Sequence, residues 1–96
     1  MKHILFSLAL SALVAAPASA ECYADYKAKQ DNPLQLHYGV IALPDAACAS
    51  KEAAAPEIAG RIGRDGWTLL DVVSIFGASG LDEKRKESAG AYYLRY

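Results

Sequence analysis

Laid out at the two-residue period of a strand, the stretch Gly66 to Gly77, GWTLLDVVSIFG, is apolar on both sides. Trp67, Leu69, Val73 and Ile75 fall on one face, and Leu70, Val72 and Phe76 on the other. A strand with one face in water alternates apolar and polar residues, so this one asks for cover on both faces. It predicts a strand over Trp67 to Phe76. A second strand is predicted from Leu34 to Leu43, where Leu34, Leu36, Tyr38, Val40 and Ala42 make one apolar face. The other face begins polar or small with Gln35, His37 and Gly39, then turns apolar at Ile41 and Leu43. Pro44-Asp45 ends it, because proline cannot donate to a ladder. A third strand is predicted for Ala91 to Tyr96, AYYLRY.

Helical spacing predicts two helices. In Glu21 to Gln30, rich in Ala and Lys, Tyr23 and Tyr26 are three apart and share a helix face, which predicts a short N-terminal helix. Asp31-Asn32-Pro33 then turns the chain. The main helix is expected to start near Ala55 or Pro56, because proline is favoured at a first helical position and costs ~3 kcal/mol in an interior. Its apolar stripe is Ile58, Ala59 and Ile62, and Gly66 supplies a left-handed stop. Gly60 and Gly63 weaken this helix and raise two readings, close approach of another backbone or a helix held by packing alone. The charged block Asp82 to Glu87 reads as part of a solvated loop spanning Gly77 to Gly90, with a binding loop as the lesser alternative.

These elements predict an α+β domain with a three-stranded mixed sheet in the order β-α-β-β. One main helix packs on one face, and a short helix precedes the first strand. The first two strands are expected to run parallel across the helix, and the last two to form an antiparallel hairpin. The segment from Leu34 onward, through "IAGRIGRDGWTLLDVV" and "AYYLRY", resembles a family of short bacterial domains of unknown function. In that family a helix is followed by Gly-Trp opening the second strand. The resemblance implies the βαββ order and no activity, cofactor or catalytic residue.

The chain has 96 residues. Residues 1–20 read as a secretory signal peptide: Lys2, an apolar run from Ile4 to Ala16, then small residues at Ala18 and Ala20 before a cleavage point at Glu21. The run is shorter than the ~20 residues of a membrane span. Lipidation at Cys22 would need a small residue directly before it, where Glu21 stands. Residues 21–96 then form a single domain, exported to the periplasm. With two cysteines in the exported part, Cys22 and Cys48 are expected to form one disulfide. A redox pair is the weaker reading, because reactive dithiols favour a close C-x-x-C spacing.

Charge adds an exclusion. The net charge is −1 without any clustered basic patch, so nothing points to nucleic acid, nor to a membrane surface once the leader is removed. No metal-ligand spacing or phosphate loop points to a cofactor. Chemistry rests on two residues. His37 is the one histidine left after cleavage, and Asp71 is a lone acid among apolar neighbours, expected to face an edge, to pair with Arg95 or to accept a hydroxyl bond from a tyrosine. With a tyrosine they form the basis of an alternative reading, a small periplasmic ligand-binding domain or hydrolase. The principal reading is a non-enzymatic interaction module. One helix roofs one face of the sheet, so the other is covered by the N-terminal segment together with a protein partner or a second copy. Tyr23, Tyr26, Trp67, Phe76 and Tyr93 are the candidate contact residues.

Overall fold

In a computed structural model, residues 20–96 are described; the expected leader, save for its last residue, lies outside them. Three strands form one sheet: β1 (Cys22–Gln30), β2 (Gln35–Leu43) and β3 (Thr68–Phe76). Helix α1 (Lys51–Gly63) lies between β2 and β3, and a second helix, α2 (Glu83–Ala89), follows β3. Short 3-10 turns occupy Asp45–Ala47, Ala78–Gly80 and Gly90–Tyr92. The fold is α+β, with a main helix and one disulfide, and its strand order is β2-β1-β3.

The segment expected as an N-terminal helix is instead the central strand. Cys22, Ala24, Tyr26 and Ala28 are buried at two-residue spacing; between them Tyr23 is half-buried, Lys27 is exposed, and Asp25 is buried on the opposite face. The local preference of Ala and Lys for helix is outweighed by ladders on both edges of β1. Because β1 is antiparallel to both neighbours, the sheet is antiparallel throughout and not mixed. β2 and β3 do run parallel to each other, as expected of a helical crossover, but with β1 inserted between them. The C-terminal segment makes one parallel bridge, Tyr93 to Val40, in place of a full third strand and hairpin.

The register assigns the two faces, since directly opposed residues share a side. The pairs Cys22–Leu43, Ala24–Ile41, Tyr26–Gly39 and Ala28–His37 face α1, which presents buried Ala54, Ile58 and Ile62 at i, i+4, i+8 spacing. Burying each isoleucine contributes roughly 1.5–3 kcal/mol. Gly39 is required here: a Cβ would stand 2.5 Å from the Tyr26 hydroxyl, so the tyrosine ring lies directly over bare backbone.

Helix α1 starts a turn earlier than its proline suggests. Ser50 caps it, accepting from the Ala53 amide at 3.0 Å, and Pro56 sits inside with its ring exposed. The cap and the three alanines before Pro56 offset the one lost backbone bond. The earlier start adds Ala54 to the packed face, in phase with Ile58 and Ile62, whereas Ala59 turns out of that phase and is exposed. Nothing lies within 4 Å of a Cβ built on Gly60 or Gly63, so these glycines face open space and no backbone approaches them. Gly66 ends the turn after α1 at φ +85°, the left-handed geometry expected of it.

Cys22 and Cys48 are bonded, 26 residues apart in sequence, as expected. The bond ties the first residue of the central strand to the segment that leads into α1. In the chain-entropy account, closing a loop of this length stabilises the fold by about 3–4 kcal/mol.

The two-faced strand is resolved by two irregularities and by α2. The β1–β3 register shifts between Asp25 and Tyr26 and again between Lys27 and Ala28. Each shift inserts an unpaired β3 residue and re-aims those around it. Leu69, Val72 and Ile75 therefore pack on the α1 side. Phe76 pairs with Tyr23 on the second face, and Leu70 is left half exposed. Within the stretch expected to be a loop, α2 forms with Asp82 as its cap, accepting from the Arg85 amide at 2.9 Å. It covers part of the second face.

Candidate functional site

Three places bring chemistry-bearing side chains together. The first is on the α1 side, around His37. This residue is 9% exposed, and its Nε2 lies 3.0 Å from the Tyr26 hydroxyl. Its ring stacks on Tyr92 with centroids 3.7 Å apart and meets Trp67 edge-on at 4.3 Å. Burial, with Arg95 adding a smaller repulsion, lowers the imidazole pKa below its ordinary value. Burial likewise raises the Tyr26 phenol, with Tyr96 and Tyr92 adding to it. Both groups are therefore held neutral near pH 7. The side chains over this pocket come from the C-terminal segment, which crosses the outer edge of β2. The Leu94 amide donates to the Val40 carbonyl at 2.8 Å, the Tyr96 hydroxyl donates to Asp65 at 2.8 Å, and Arg61 donates to the Tyr96 and Ala42 carbonyls.

The second place is beneath α2 on the opposite face. Asp25, in the middle of β1, is 4% exposed. It accepts from the Ser74 hydroxyl at 2.6 Å, the Tyr38 hydroxyl at 2.7 Å and Arg85 Nε at 3.3 Å. Burial pushes its carboxyl up, but the three bonds and the guanidinium charge outweigh this and hold it below the usual carboxylate value. The Tyr38 phenol is pushed up to about 12 by burial, then by its bond to Asp25 and that carboxylate's charge. Arg85 also donates to the Gly80 carbonyl at 3.0 Å and lies 4.0 Å from the Phe76 ring centroid. One side chain thus spans the carboxylate, the preceding turn and an aromatic ring. A carboxylate whose oxygens are all engaged is a clamp for α2 rather than a free base.

The third place is the uncovered end of the same face, near the β1–β2 turn. Leu34 is 64% exposed, Leu36 68% and Leu70 52%. Leu36 and Leu70 line a groove of about 340 Å³ with Lys27, Ala28, His37 and Tyr38. Among the described residues, Lys27 has no ion-pair partner.

The residues expected to make contacts do not form one surface. Tyr26 and Trp67 are interior, because β1 and the helix stop carry them onto the α1 side. Tyr23 and Phe76 do come together on the second face, with ring centroids 6.3 Å apart, but Arg85 lies over Phe76. Tyr93 is half-buried at the β2 edge. The residues that stand open are Leu34, Leu36 and Leu70. Leu34 and Leu36 were visible in the sequence as members of an apolar strand face, but nothing local says that the N-terminal half of that face goes uncovered. His37 and Asp71 do not converge either. His37 is on β2; Asp71 is exposed on β3, opposite Lys27, with β1 between the two strands. Asp71 lines a separate groove with Lys51, Glu52 and Ala55, and Arg95 lies over Tyr92 and Tyr96 instead of pairing with it.

Among the described residues no cluster of three or more His, Cys, Asp or Glu is placed to hold a metal ion. In the same span no helix is long and apolar enough to cross a membrane. A bonded cysteine pair fits an oxidising compartment, extracellular or periplasmic. No family model, no curated protein and no solved structure matches the chain.

Proposed function

We propose that the chain is a small exported interaction module of the periplasm, without a catalytic role, which contacts a protein partner through the open end of its second sheet face. The observation that carries this reading is the trio Leu34, Leu36 and Leu70, the three most exposed large apolar side chains among the described residues. Leu36 and Leu70 line one groove, and Leu34 stands two residues before Leu36 at the entry to β2. Apolar side chains grouped beside a single lysine, on a chain this short, are the pattern of a contact patch rather than scattered exposure. The disulfide and the leader expected over residues 1–20 support the compartment. The likeness of its Gly-Trp region to short bacterial domains of unknown function belongs to this proposal and brings no activity with it. The hydrolase or ligand-binding reading loses its support, because His37 and Asp71 line different grooves.

Photo-crosslinking in the native compartment tests the reading. A crosslinker at position 36 or 70 is expected to trap a defined protein adduct, while one at exposed Gly60 on the far side of α1 traps none. Sedimentation distinguishes a second copy from a different partner. Equal labelling at all three positions, or none at 36 and 70, removes the proposal.

A further inference from the structure

His37 poses a question that a contact patch does not answer. It is nine-tenths buried, its Nε2 is engaged by Tyr26, and its Nδ1 is enclosed with no hydrogen-bond partner. A neutral ring tolerates this when Nδ1 is the unprotonated nitrogen and Nε2 carries the proton toward the Tyr26 hydroxyl. An imidazolium does not, because both nitrogens then carry protons and one has no acceptor. The groups around it are known from each element. β1 contributes the Tyr26 hydroxyl, and the turn before β3 contributes Trp67. The C-terminal segment contributes Tyr92, Tyr96 and the cation of Arg95, which lies 5.7 Å from the Tyr92 ring centroid. The ring that would receive an imidazolium on its face thus already serves a guanidinium. Near that segment the acid is Asp65, which is occupied by the Tyr96 hydroxyl.

The covering segment is itself under tension. Leu94 holds φ at +54°, a left-handed backbone that leucine adopts only when its surroundings impose it. Its amide bond to Val40, the stack of Tyr92 on His37, and the Tyr96 contacts with Arg61 and Asp65 are what impose it. The geometry points to an acid-released strap: protonation of His37 drives Tyr92 off the imidazole, and the segment from Tyr92 to Tyr96 leaves the β2 edge while the disulfide-linked sheet stays folded. Its release uncovers the backbone edge of β2 at Val40 and opens the aromatic pocket to water. This stands independently of any partner at Leu36 and Leu70.

Hydrogen exchange of the Leu94 amide, corrected for the intrinsic pH dependence, tests the strap on the full chain. Emission from Trp67, the chain's one tryptophan, reports the same event beside His37. Between about pH 7.5 and pH 5, protection at Leu94 is expected to fall about tenfold, and the midpoint to lie below the ordinary histidine value of about 6.5. β1 amides keep their protection. Arg95→Gln, at an exposed position, removes a nearby cation and moves the midpoint upward. His37→Phe keeps an aromatic ring and abolishes the transition. Leu94 protection that is unchanged or increased in acid overturns the proposal. So does a transition that survives His37→Phe, or a midpoint that Arg95→Gln leaves where it was.

Discussion

On the side of the sheet facing α1, the cover consists of Ala54, Ile58 and Ile62 set against Cys22, Ala24, Tyr26, Ile41 and Leu43, all buried. On the opposite side, α2 contributes one buried residue, Ala89, packs along β2, and reaches β1 and β3 through Arg85. The first cover is broad and non-directional, so its strength grows with area removed from water. The second depends on a few directional bonds to one carboxylate. Small residues at Ala24 and Ala28 allow α1 to lie close, whereas Asp25 and Lys27 on the other side of β1 leave polar or charged groups to be satisfied. A charged seven-residue helix is a workable lid only because Asp25 gives Arg85 something to hold.

Substitution breaks this contrast most sharply at the apolar cover. Ile58→Ala is expected to cost about 2–5 kcal/mol, read as a lower denaturant midpoint of the whole domain, because a fully buried side chain leaves a cavity that α1 cannot fill. A loss below about 1 kcal/mol would mean that α1 is not the main cover.

A smaller and differently distributed effect is expected at the clamp. Arg85→Ala should cost about 1–3 kcal/mol by leaving the Asp25 carboxylate buried with fewer partners, and α2 amides should lose protection before those of the sheet. The clamp also carries a pH signature. The folded Asp25 pKa is depressed, so its contribution is complete above the unfolded value of about 4 and is lost as pH falls through the lower folded value. The His37 pKa is depressed as well, so stability declines first below about 6.5, on the α1 side of the sheet. Urea midpoints measured across both windows should show two steps, with Arg85→Ala reducing only the more acidic one.

The least effect on stability is expected at the bare end of the second face. Leu36→Ser should leave the unfolding midpoint within about 0.5 kcal/mol of the parent, since the side chain already stands in water. The same substitution should abolish the crosslink at position 70. A stability loss as large as that of Ile58→Ala would place Leu36 in a packed interior and remove it from the contact patch.

The residues differ in how openly they announced these roles. Gln35 to Phe76 read correctly as strand, helix and strand, because each element carries its own periodicity and its own stop at Pro44 or Gly66. The Cys22–Cys48 bond followed from the chain having two cysteines. β1 was misread because Tyr23 and Tyr26 at i, i+3 suggested a helix face, although Cys22, Ala24, Tyr26 and Ala28 alternate against Tyr23, Asp25, Lys27 and Lys29. That alternation was the available signal. α2 was missed because it has no apolar stripe; the signal was Asp82 as a cap with Glu83 in the first turn.

The chain alone determined its elements wherever burial on one side repeats at a fixed spacing, and it determined the covalent staple, since both are properties of neighbours or of composition. Only the tertiary structure decided that β1 lies between β2 and β3, that Asp25 is a buried anchor, and that the C-terminal segment crosses the β2 edge to cover His37. Each of these depends on partners far apart in sequence: Asp25 with Arg85 and Ser74, His37 with Trp67 and Tyr92. Local propensity differs by tenths of a kcal/mol per residue, while a central strand gains two ladders and a packed face, so long-range pairing overrules it.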